Sequence, residues 1–162
     1  MKKIVLFLLG CWLAFQVSAA DSAWVTSLPD AKAQAKKENK LILLNFTGLD
    51  WCIPCKQMEA DIYTKPEFLA YAQTNLVLVQ LDFLPIKKQP EDLFKANTAL
   101  QEEYGVQVFP TVIMVNSDGK PLWAKKGYLK GGPAAMIAEL EKAKNAPMTT
   151  PTTNTVTPPA RN

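Results

Sequence analysis

Two cysteines, Cys52 and Cys55, come directly after an apolar run of strand length, and this placement limits the folds open to the chain. Residues 41–46 form the apolar run, and a short loop with Gly48 leads from it to Trp51-Cys52-Ile53-Pro54-Cys55-Lys56. Pro54 suits the first turn of a helix, because its missing N–H would have no intrahelical partner there. The pattern predicts a strand, a loop and then a helix that begins at or near Cys52.

This arrangement gives the two sulfurs different properties. A thiolate at a helix N-terminus lies beside unpaired backbone N–H groups and the positive end of the helix dipole, so the pKa of Cys52 should be depressed. Cys55 lies about one turn further on, close enough to form a disulfide with Cys52 and shielded by the helix. We therefore predict that Cys52 is an exposed attacking sulfur and that Cys55 is the resolving sulfur.

A structural role for the pair is less well motivated than redox chemistry. A zinc site needs four protein ligands, or three and a water, whereas the chain has no histidine and only one other cysteine, Cys11. A disulfide across two intervening residues closes so short a loop that it constrains the unfolded chain little. We predict catalytic cysteines at Cys52 and Cys55, no metal site, and no requirement for a cofactor.

The N-terminal segment has the pattern of an export signal. Lys2 and Lys3 precede an apolar stretch over residues 4–15, and Ser18-Ala19-Ala20 supplies the small residues that a signal peptidase accepts. Residues 1–20 are predicted to be a cleaved signal peptide. Two alternatives stay open: a lipobox at Leu8-Leu9-Gly10-Cys11, which would leave Cys11 lipidated, and an uncleaved anchor, although the span is shorter than the roughly 20 residues a bilayer requires.

Export would place the protein in the periplasm or outside the cell, where a dithiol meets an oxidising environment. The net charge of the whole chain is +3, and both charges of the signal are lysines, so the remainder carries +1. This near-neutral balance gives no support for nucleic-acid binding. The apolar content of 48% is enough for one hydrophobic core.

The chain after the signal alternates predicted strands and helices. Strands are predicted at residues 24–25, 41–46, 76–81, 111–115 and 121–125. Helices are predicted at residues 28–39, 52–62, 67–74, 91–104 and 133–145. Ser27 is a candidate N-cap and Gly105 a candidate C-terminal cap, while residues 116–119 predict a hairpin turn before a strand near the sheet edge.

The domain is predicted to end where the composition changes. Residues 146–162 are rich in threonine and proline and almost free of apolar side chains, so they cannot bury enough surface to order themselves. We predict one domain over residues 21–145, followed by a disordered tail over residues 146–162.

The order of these elements and several motifs resemble the thioredoxin fold, an α/β fold with a central mixed β-sheet flanked by helices. The resemblance covers about residues 24–145 and rests on a set of short motifs: Trp51-Cys52-Ile53-Pro54-Cys55-Lys56, Asp82, Tyr104-Gly105-Val106, Phe109-Pro110-Thr111 and Asp118-Gly119. Within the superfamily, the chain looks similar to secreted bacterial thioredoxin-like proteins and to the C-terminal domain of the membrane reductant conductor DsbD.

The resemblance implies a substrate-binding surface around the cysteines. Pro110 would be a cis-proline facing the disulfide, and the backbone at Phe109 would be free to pair with an extended substrate segment. Trp51 would pack beside the sulfurs, and Ile53 and Phe109 would give the groove an apolar floor. We therefore expect Trp51, Ile53, Pro54, Phe109 and Pro110 to bind protein substrates.

Two departures from cytosolic thioredoxins concern the proton of Cys55. The buried acid beneath the cysteines of those proteins aligns with Asn45, and the lysine paired with that acid has no counterpart in residues 76–81. The proton would then leave through water or another carboxylate, and Asp50 and Asp82 are the nearest candidates in sequence.

The predicted function is an exported thiol–disulfide oxidoreductase that reduces disulfides of periplasmic proteins through a Cys52/Cys55 dithiol–disulfide cycle. Pro54 matches thioredoxin-like reductants, whereas strong oxidants of this fold usually carry a histidine between the cysteines. The expected partners are disulfide-containing exported proteins and a membrane electron donor of the DsbD type, and we expect a monomer.

Other functions remain open on the same residues. The protein could instead be a disulfide-donating oxidase or an isomerase of the same fold. A non-enzymatic module is a further alternative, holding Cu(I) through Cys52, Cys55 and Met58 or binding peptides as a chaperone. Against copper, the sequence contains no cluster of methionine or histidine residues that would mark a metal path.

Overall fold

The computed structural model describes residues 24–85 and 89–146. The predicted signal peptide with its Cys11 alternative, and the tail over residues 147–162, lie outside these ranges. Within them, no helix combines the length and the apolar character that crossing a bilayer demands.

A five-stranded mixed sheet forms the centre of the fold, with the strands in the order β1-β3-β2-β4-β5. The strands are β1 Trp24–Val25, β2 Leu41–Thr47, β3 Leu76–Asp82, β4 Thr111–Val115 and β5 Pro121–Lys126. β2 runs parallel to β3 and antiparallel to β4, so the strand before the cysteines lies in the middle of the sheet. β5 pairs antiparallel with β4 and forms one edge.

The helices begin and end at residues whose local chemistry explains the boundaries. Ser27 caps the first helix, since its hydroxyl accepts the N–H of Asp30 at 3.3 Å. Gly105 follows the fourth helix with a φ of 62°, a conformation that glycine adopts without steric cost. The helices are α1 Leu28–Glu38, α2 Ile53–Met58, α3 Pro66–Asn75, α4 Glu91–Glu103 and α5 Gly132–Lys144.

The two faces of the sheet carry separate hydrophobic clusters. One cluster packs α1 and the end of α4 against alternate β2 residues, among them Ile42, Leu44 and Phe46. The other packs α2, α3 and α5 against the opposite face through Met58, Phe68 and Met136. This alternation along β2 follows from the period of two in a strand, and it leaves Asn45 and Thr47 on the face covered by α2.

The predicted fold class is confirmed, while one element differs from its prediction. The sequence predicted a continuous helix from the cysteines to residue 62, whereas α2 ends at Met58 and a π-helical turn, Glu59–Tyr63, follows it. Hydrophobic periodicity does not distinguish an α-helix from a single wider turn, so the sequence pattern could not reveal the change. The π turn places Glu59 directly after the helix that carries the cysteines.

Candidate active site

Cys52 and Cys55 form a disulfide at the N-terminus of α2. Cys52 is the N-cap residue in extended conformation, and its sulfur accepts the backbone N–H of Cys55 at 3.3 Å. Pro54 lies in the first turn of the helix, as its missing N–H allows. The helix N-terminus therefore points at the sulfur of Cys52, as the sequence predicted.

The predicted difference in exposure between the two sulfurs is wrong for this disulfide form. Cys52 is 5% exposed and Cys55 2%, so both residues are buried. The sulfur of Cys52 accepts the N–H of Cys55 in the first turn of α2, and this hydrogen bond is buried. The accessible surface near the disulfide comes instead from Ile53, which is 68% exposed, and from Trp51 and Pro54.

Trp51 is held beside the disulfide by its own loop. The backbone N–H groups of Trp51 and Cys52 both donate to the carbonyl of Gly48, at 3.1 and 2.7 Å. The indole Nε1–H donates to the carbonyl of Phe83 at 2.7 Å. A Cβ on Gly48 would collide with the indole ring, so only glycine leaves room for the ring over this loop.

The segment around Pro110 comes to the same surface. The peptide bond between Phe109 and Pro110 is cis. The ring of Phe109 packs edge-on against Trp51 at a centroid separation of 5.7 Å, while Pro110 is buried. The fold thus brings Trp51 and Phe109, which are 58 positions apart in sequence, into contact next to the cysteines.

Glu59 is a residue at this site that the sequence reasoning missed. It lies four positions after Cys55, and its backbone N–H donates to the carbonyl of Cys55. Its Oε2 atom is buried without a hydrogen-bond partner among the described residues. Burial raises the pKa of the Glu59 carboxyl, and the negative charge of Asp82 raises it further.

Two more polar groups are buried on this face of the sheet. Asn45 is 2% exposed, and its Oδ1 atom has no hydrogen-bond partner in the described chain. The hydroxyl of Tyr63, at the end of the π turn, is also buried without a hydrogen-bond partner among the described residues. Burial, with a smaller contribution from the charge of Glu59, raises the pKa of Tyr63 well above its usual value, so Tyr63 stays neutral. Of Asn45, Tyr63 and Glu59, Glu59 is therefore the residue that offers a carboxyl group to accept a proton.

The two carboxylates suggested by the sequence are placed differently. Asp82, at the end of β3, accepts the backbone N–H of Leu49 at 3.0 Å and so supports the loop before the cysteines. The backbone carbonyl of Asp50 accepts a hydrogen bond from the Lys56 amine at 3.1 Å. Of these two residues, Asp82 is the one that acts on the pKa of Glu59.

The surroundings of Met58 bear on the copper alternative. Met58 is fully buried in the cluster formed by α2, α3 and α5. Across residues 24–85 and 89–146 there is no group of three or more His, Cys, Asp or Glu side chains that could hold a metal ion.

Comparison with known proteins agrees with this geometry. The family model described as "Thioredoxin-like domain" matches residues 28–144. A relative from Chlamydia pneumoniae, named disulfide bond reductase DsbH, is 35% identical over 127 residues, which are 78% of this chain and 75% of that protein.

Two solved structures are similar as well. A DsbH oxidoreductase superposes with a TM-score of 0.71 at 31% identity, covering 83% of this chain and 92% of that one. The reduced C-terminal domain of DsbD from Neisseria meningitidis gives a TM-score of 0.55 at 31% identity, covering 72% and 93%. The chain therefore belongs to the thioredoxin-like family, and within it the protein is a thiol–disulfide oxidoreductase related to DsbH.

Proposed function

We propose that this protein is an exported disulfide reductase that uses Cys52 as its nucleophile and Cys55 as its resolving thiol. The observation that carries the proposal is the Cys52–Cys55 disulfide at the N-terminus of α2, where the N–H of Cys55 points at the sulfur of Cys52. A sulfur in this position is favoured as a thiolate once the disulfide is reduced. The reducing direction is supported by the relative named disulfide bond reductase and by the lack of histidine between the cysteines.

The reaction transfers two electrons from the protein dithiol to a substrate disulfide. The Cys52 thiolate attacks one substrate sulfur, the substrate S–S bond breaks, and a mixed disulfide forms while the other substrate sulfur leaves as a thiolate. Cys55 then loses its proton, and its thiolate attacks the sulfur of Cys52. The second substrate thiolate is released, and Cys52–Cys55 is left oxidised.

Glu59 is our candidate for the group that takes the proton of Cys55. It replaces Asp50 and Asp82 in this role, because it lies one turn after Cys55 and one of its carboxylate oxygens is buried without a hydrogen-bond partner among the described residues. A carboxylate with a raised pKa is a better base near neutral pH than a solvated one. Asn45 cannot accept the proton. We therefore place the acid–base function on Glu59, in the π turn after α2, rather than on the sheet.

The surface around the disulfide would receive the substrate. Ile53 and Trp51 are exposed beside the sulfurs, and Phe109 packs on Trp51. Together with Pro54 and Pro110 they offer apolar contacts and a turn of backbone to a flexible protein segment rather than to a small charged molecule. We assign substrate binding to these five residues.

The proposal also gives each of the three parts of the chain a role in an exported protein. We propose that residues 1–20 direct secretion and are removed, that residues 21–145 form the catalytic domain, and that residues 146–162 are a flexible tail. Outside the cytosol the oxidised protein must be re-reduced, so it needs a dithiol donor, for which a membrane protein of the DsbD type is the candidate. The substrates would be disulfide-bearing periplasmic or secreted proteins.

Replacing Cys55 with Ala tests this mechanism. The variant keeps the nucleophile and lacks the resolving sulfur, so a mixed disulfide between Cys52 and a substrate protein should accumulate. A non-reducing gel should show it as a separate band. Cys52→Ala is the matched control and should trap nothing. The mechanism is wrong if both variants trap substrate equally, or if Cys55→Ala traps none while the unchanged protein reduces it.

A further inference from the structure

Four aromatic rings form a continuous row that begins beside the disulfide and ends on α4. Trp51 contacts Phe109, Phe109 contacts Phe83, and Phe83 contacts Phe94, with centroid separations of 5.7, 5.1 and 6.2 Å. We call these four residues the aromatic row. Trp51 and Phe109 belong to the proposed substrate surface, whereas Phe83 and Phe94 lie beyond it.

The middle of the aromatic row is anchored and its two ends are open. Phe83 is 7% exposed, its N–H donates to the carbonyl of Thr47 at 2.9 Å, and its own carbonyl accepts the indole N–H of Trp51. Trp51 is 42% exposed and Phe94 46%. Phe83 therefore supports the neighbouring rings from the interior, and Trp51, Phe109 and Phe94 supply the accessible apolar surface.

The exposure of Phe94 has no explanation in the packing of α4. The helix packs on the sheet through Asn97, which is 1% exposed, and through Leu100 further along. Phe94 lies at the start of the helix, and its ring contact is with Phe83 at the end of the row. A single exposed phenylalanine is ordinary on a protein surface, but Phe94 is joined through Phe83 to Phe109 of the proposed substrate surface.

We propose that the aromatic row binds an extended, apolar segment of the substrate protein next to the cysteine that Cys52 attacks. This inference rests on the proposed function and adds a substrate preference to it. A segment of about five extended residues spans the distance from Trp51 to Phe94, since a strand advances about 3.3 Å per residue. Alternate side chains of the segment would face the exposed rings. The mixed disulfide tethers the segment, so weak contacts with the row suffice to hold it.

Because the row continues the disulfide surface, its occupant is the segment attached to the substrate cysteine rather than a separate partner. The preferred substrate would carry leucine, phenylalanine or similar side chains at alternate positions beside its cysteine. Such sequences come from the interior of folded proteins, so they become accessible in unfolded or misfolded chains.

Three disulfide compounds and two protein variants test the proposal. Two of the compounds are peptides that share one disulfide ring and differ only in the five-residue extensions on both sides of it. The extensions alternate Phe and Ser in the apolar peptide and Gly and Ser in the other. Oxidised glutathione is the third compound. Phe94→Ser removes the outer ring. Leu69→Ser is the matched control, because Leu69 is a 38% exposed apolar residue on α3 outside the aromatic row.

The apolar peptide should have a KM about tenfold below that of the Gly-Ser peptide, and Phe94→Ser should abolish most of this difference. Phe94→Ser should keep the kcat values and the KM for oxidised glutathione of the unchanged protein. Leu69→Ser should keep every kcat and KM value of the unchanged protein. Equal KM values for both peptides, or an equal ratio of KM values in Phe94→Ser and the unchanged protein, would overturn the proposal. A change of oligomeric state in Phe94→Ser would overturn it too, by assigning the row to self-association.

A binding measurement separates this inference from the proposed function. The same two peptides with serine in place of cysteine are titrated into the isotope-labelled oxidised protein while the Trp51 indole N–H resonance is followed. The apolar peptide should shift this resonance and Phe94→Ser should weaken the binding, whether or not the protein reduces disulfides. Binding without reduction would refute the proposed function alone, and reduction without preferential binding would refute the aromatic row alone.

Discussion

The carboxyl group of Glu59 links the stability of the protein to its proposed chemistry. Burial raises its pKa above the ordinary value of 4.5, so the folded protein disfavours the ionised form. Below about pH 4 the carboxyl is protonated in both folded and unfolded chains, and this unfavourable term is absent. As the pH rises through the folded pKa, the group must ionise in its buried place, and stability is lost.

Replacing Glu59 with Gln should therefore stabilise the oxidised protein at pH 7 more than at pH 4. The amide keeps the shape of the side chain and removes the charge, so the Tm difference between variant and parent should grow with pH. Thermal unfolding across this range measures it. Glu139→Gln, at an exposed position in the interior of α5, is the control and should show no such trend. A Tm difference that is constant with pH would contradict the assignment.

The same substitution should slow the resolving step. If Glu59 takes the proton of Cys55, Glu59→Gln should lower the rate at which a preformed mixed disulfide is resolved by about tenfold to a hundredfold, without affecting the attack by Cys52. Single-turnover kinetics separate the two steps. An unchanged resolving rate would leave Glu59 as a structural residue only.

The limits of sequence reasoning are visible in single residues. Pro54, Ser27 and Gly105 have local signals of backbone geometry, and their predicted positions were correct. The burial of Glu59 has no local signal, because a glutamate in a helical stretch looks like a surface residue. Its position one turn after Cys55 was the available clue, but the burial of its side chain depends on contacts between elements that the sequence does not show.

At the level of elements, a side-chain hydrogen bond connects the end of α4 to the turn between β4 and β5. The hydroxyl of Tyr104, at the end of α4, donates to the carbonyl of Gly119 in the turn between β4 and β5 at 2.9 Å. Burial, with a smaller contribution from Glu103, raises the pKa of Tyr104 to about 12, so the hydroxyl keeps its proton throughout the physiological range.

Tyr104→Phe should lower the free energy of unfolding by about 1 kcal/mol, because a partly buried carbonyl loses its donor. Denaturant titration measures the loss. Tyr128→Phe is the control: its hydroxyl bonds to the Asp61 carboxylate at an exposed position, where water replaces the bond, and it should cost less. A larger loss for Tyr128→Phe would contradict the role of the α4 contact.

The elements themselves were predictable because their boundaries carry proline, glycine or capping residues. The exposure of Phe94 and the burial of Cys52 were not, since both depend on contacts between elements distant in sequence. Helical spacing predicts that residues 91–104 form a helix, but it does not say which neighbour covers the ring of Phe94. The aromatic row became visible only when β3, α4 and the Pro110 segment were placed together.

On the scale of the whole molecule, the fold follows from the order of strands and helices and was predicted correctly. The observed order βαβααβαββα, with a cysteine pair after a central strand, permits few arrangements of the sheet. The direction of electron flow is a property of a different kind. It depends on the relative stability of the dithiol and the disulfide in one environment, and neither the topology nor the sequence states that difference.

The equilibrium reduction potential of the Cys52–Cys55 pair measures this difference directly, in purified protein equilibrated with graded thiol buffers. A reductase should have a potential close to the roughly −270 mV of thioredoxin, and about 30 mV corresponds to about 1.4 kcal/mol for a two-electron couple. A value near the roughly −120 mV of DsbA would mean that the protein donates disulfides, and it would contradict the proposed function.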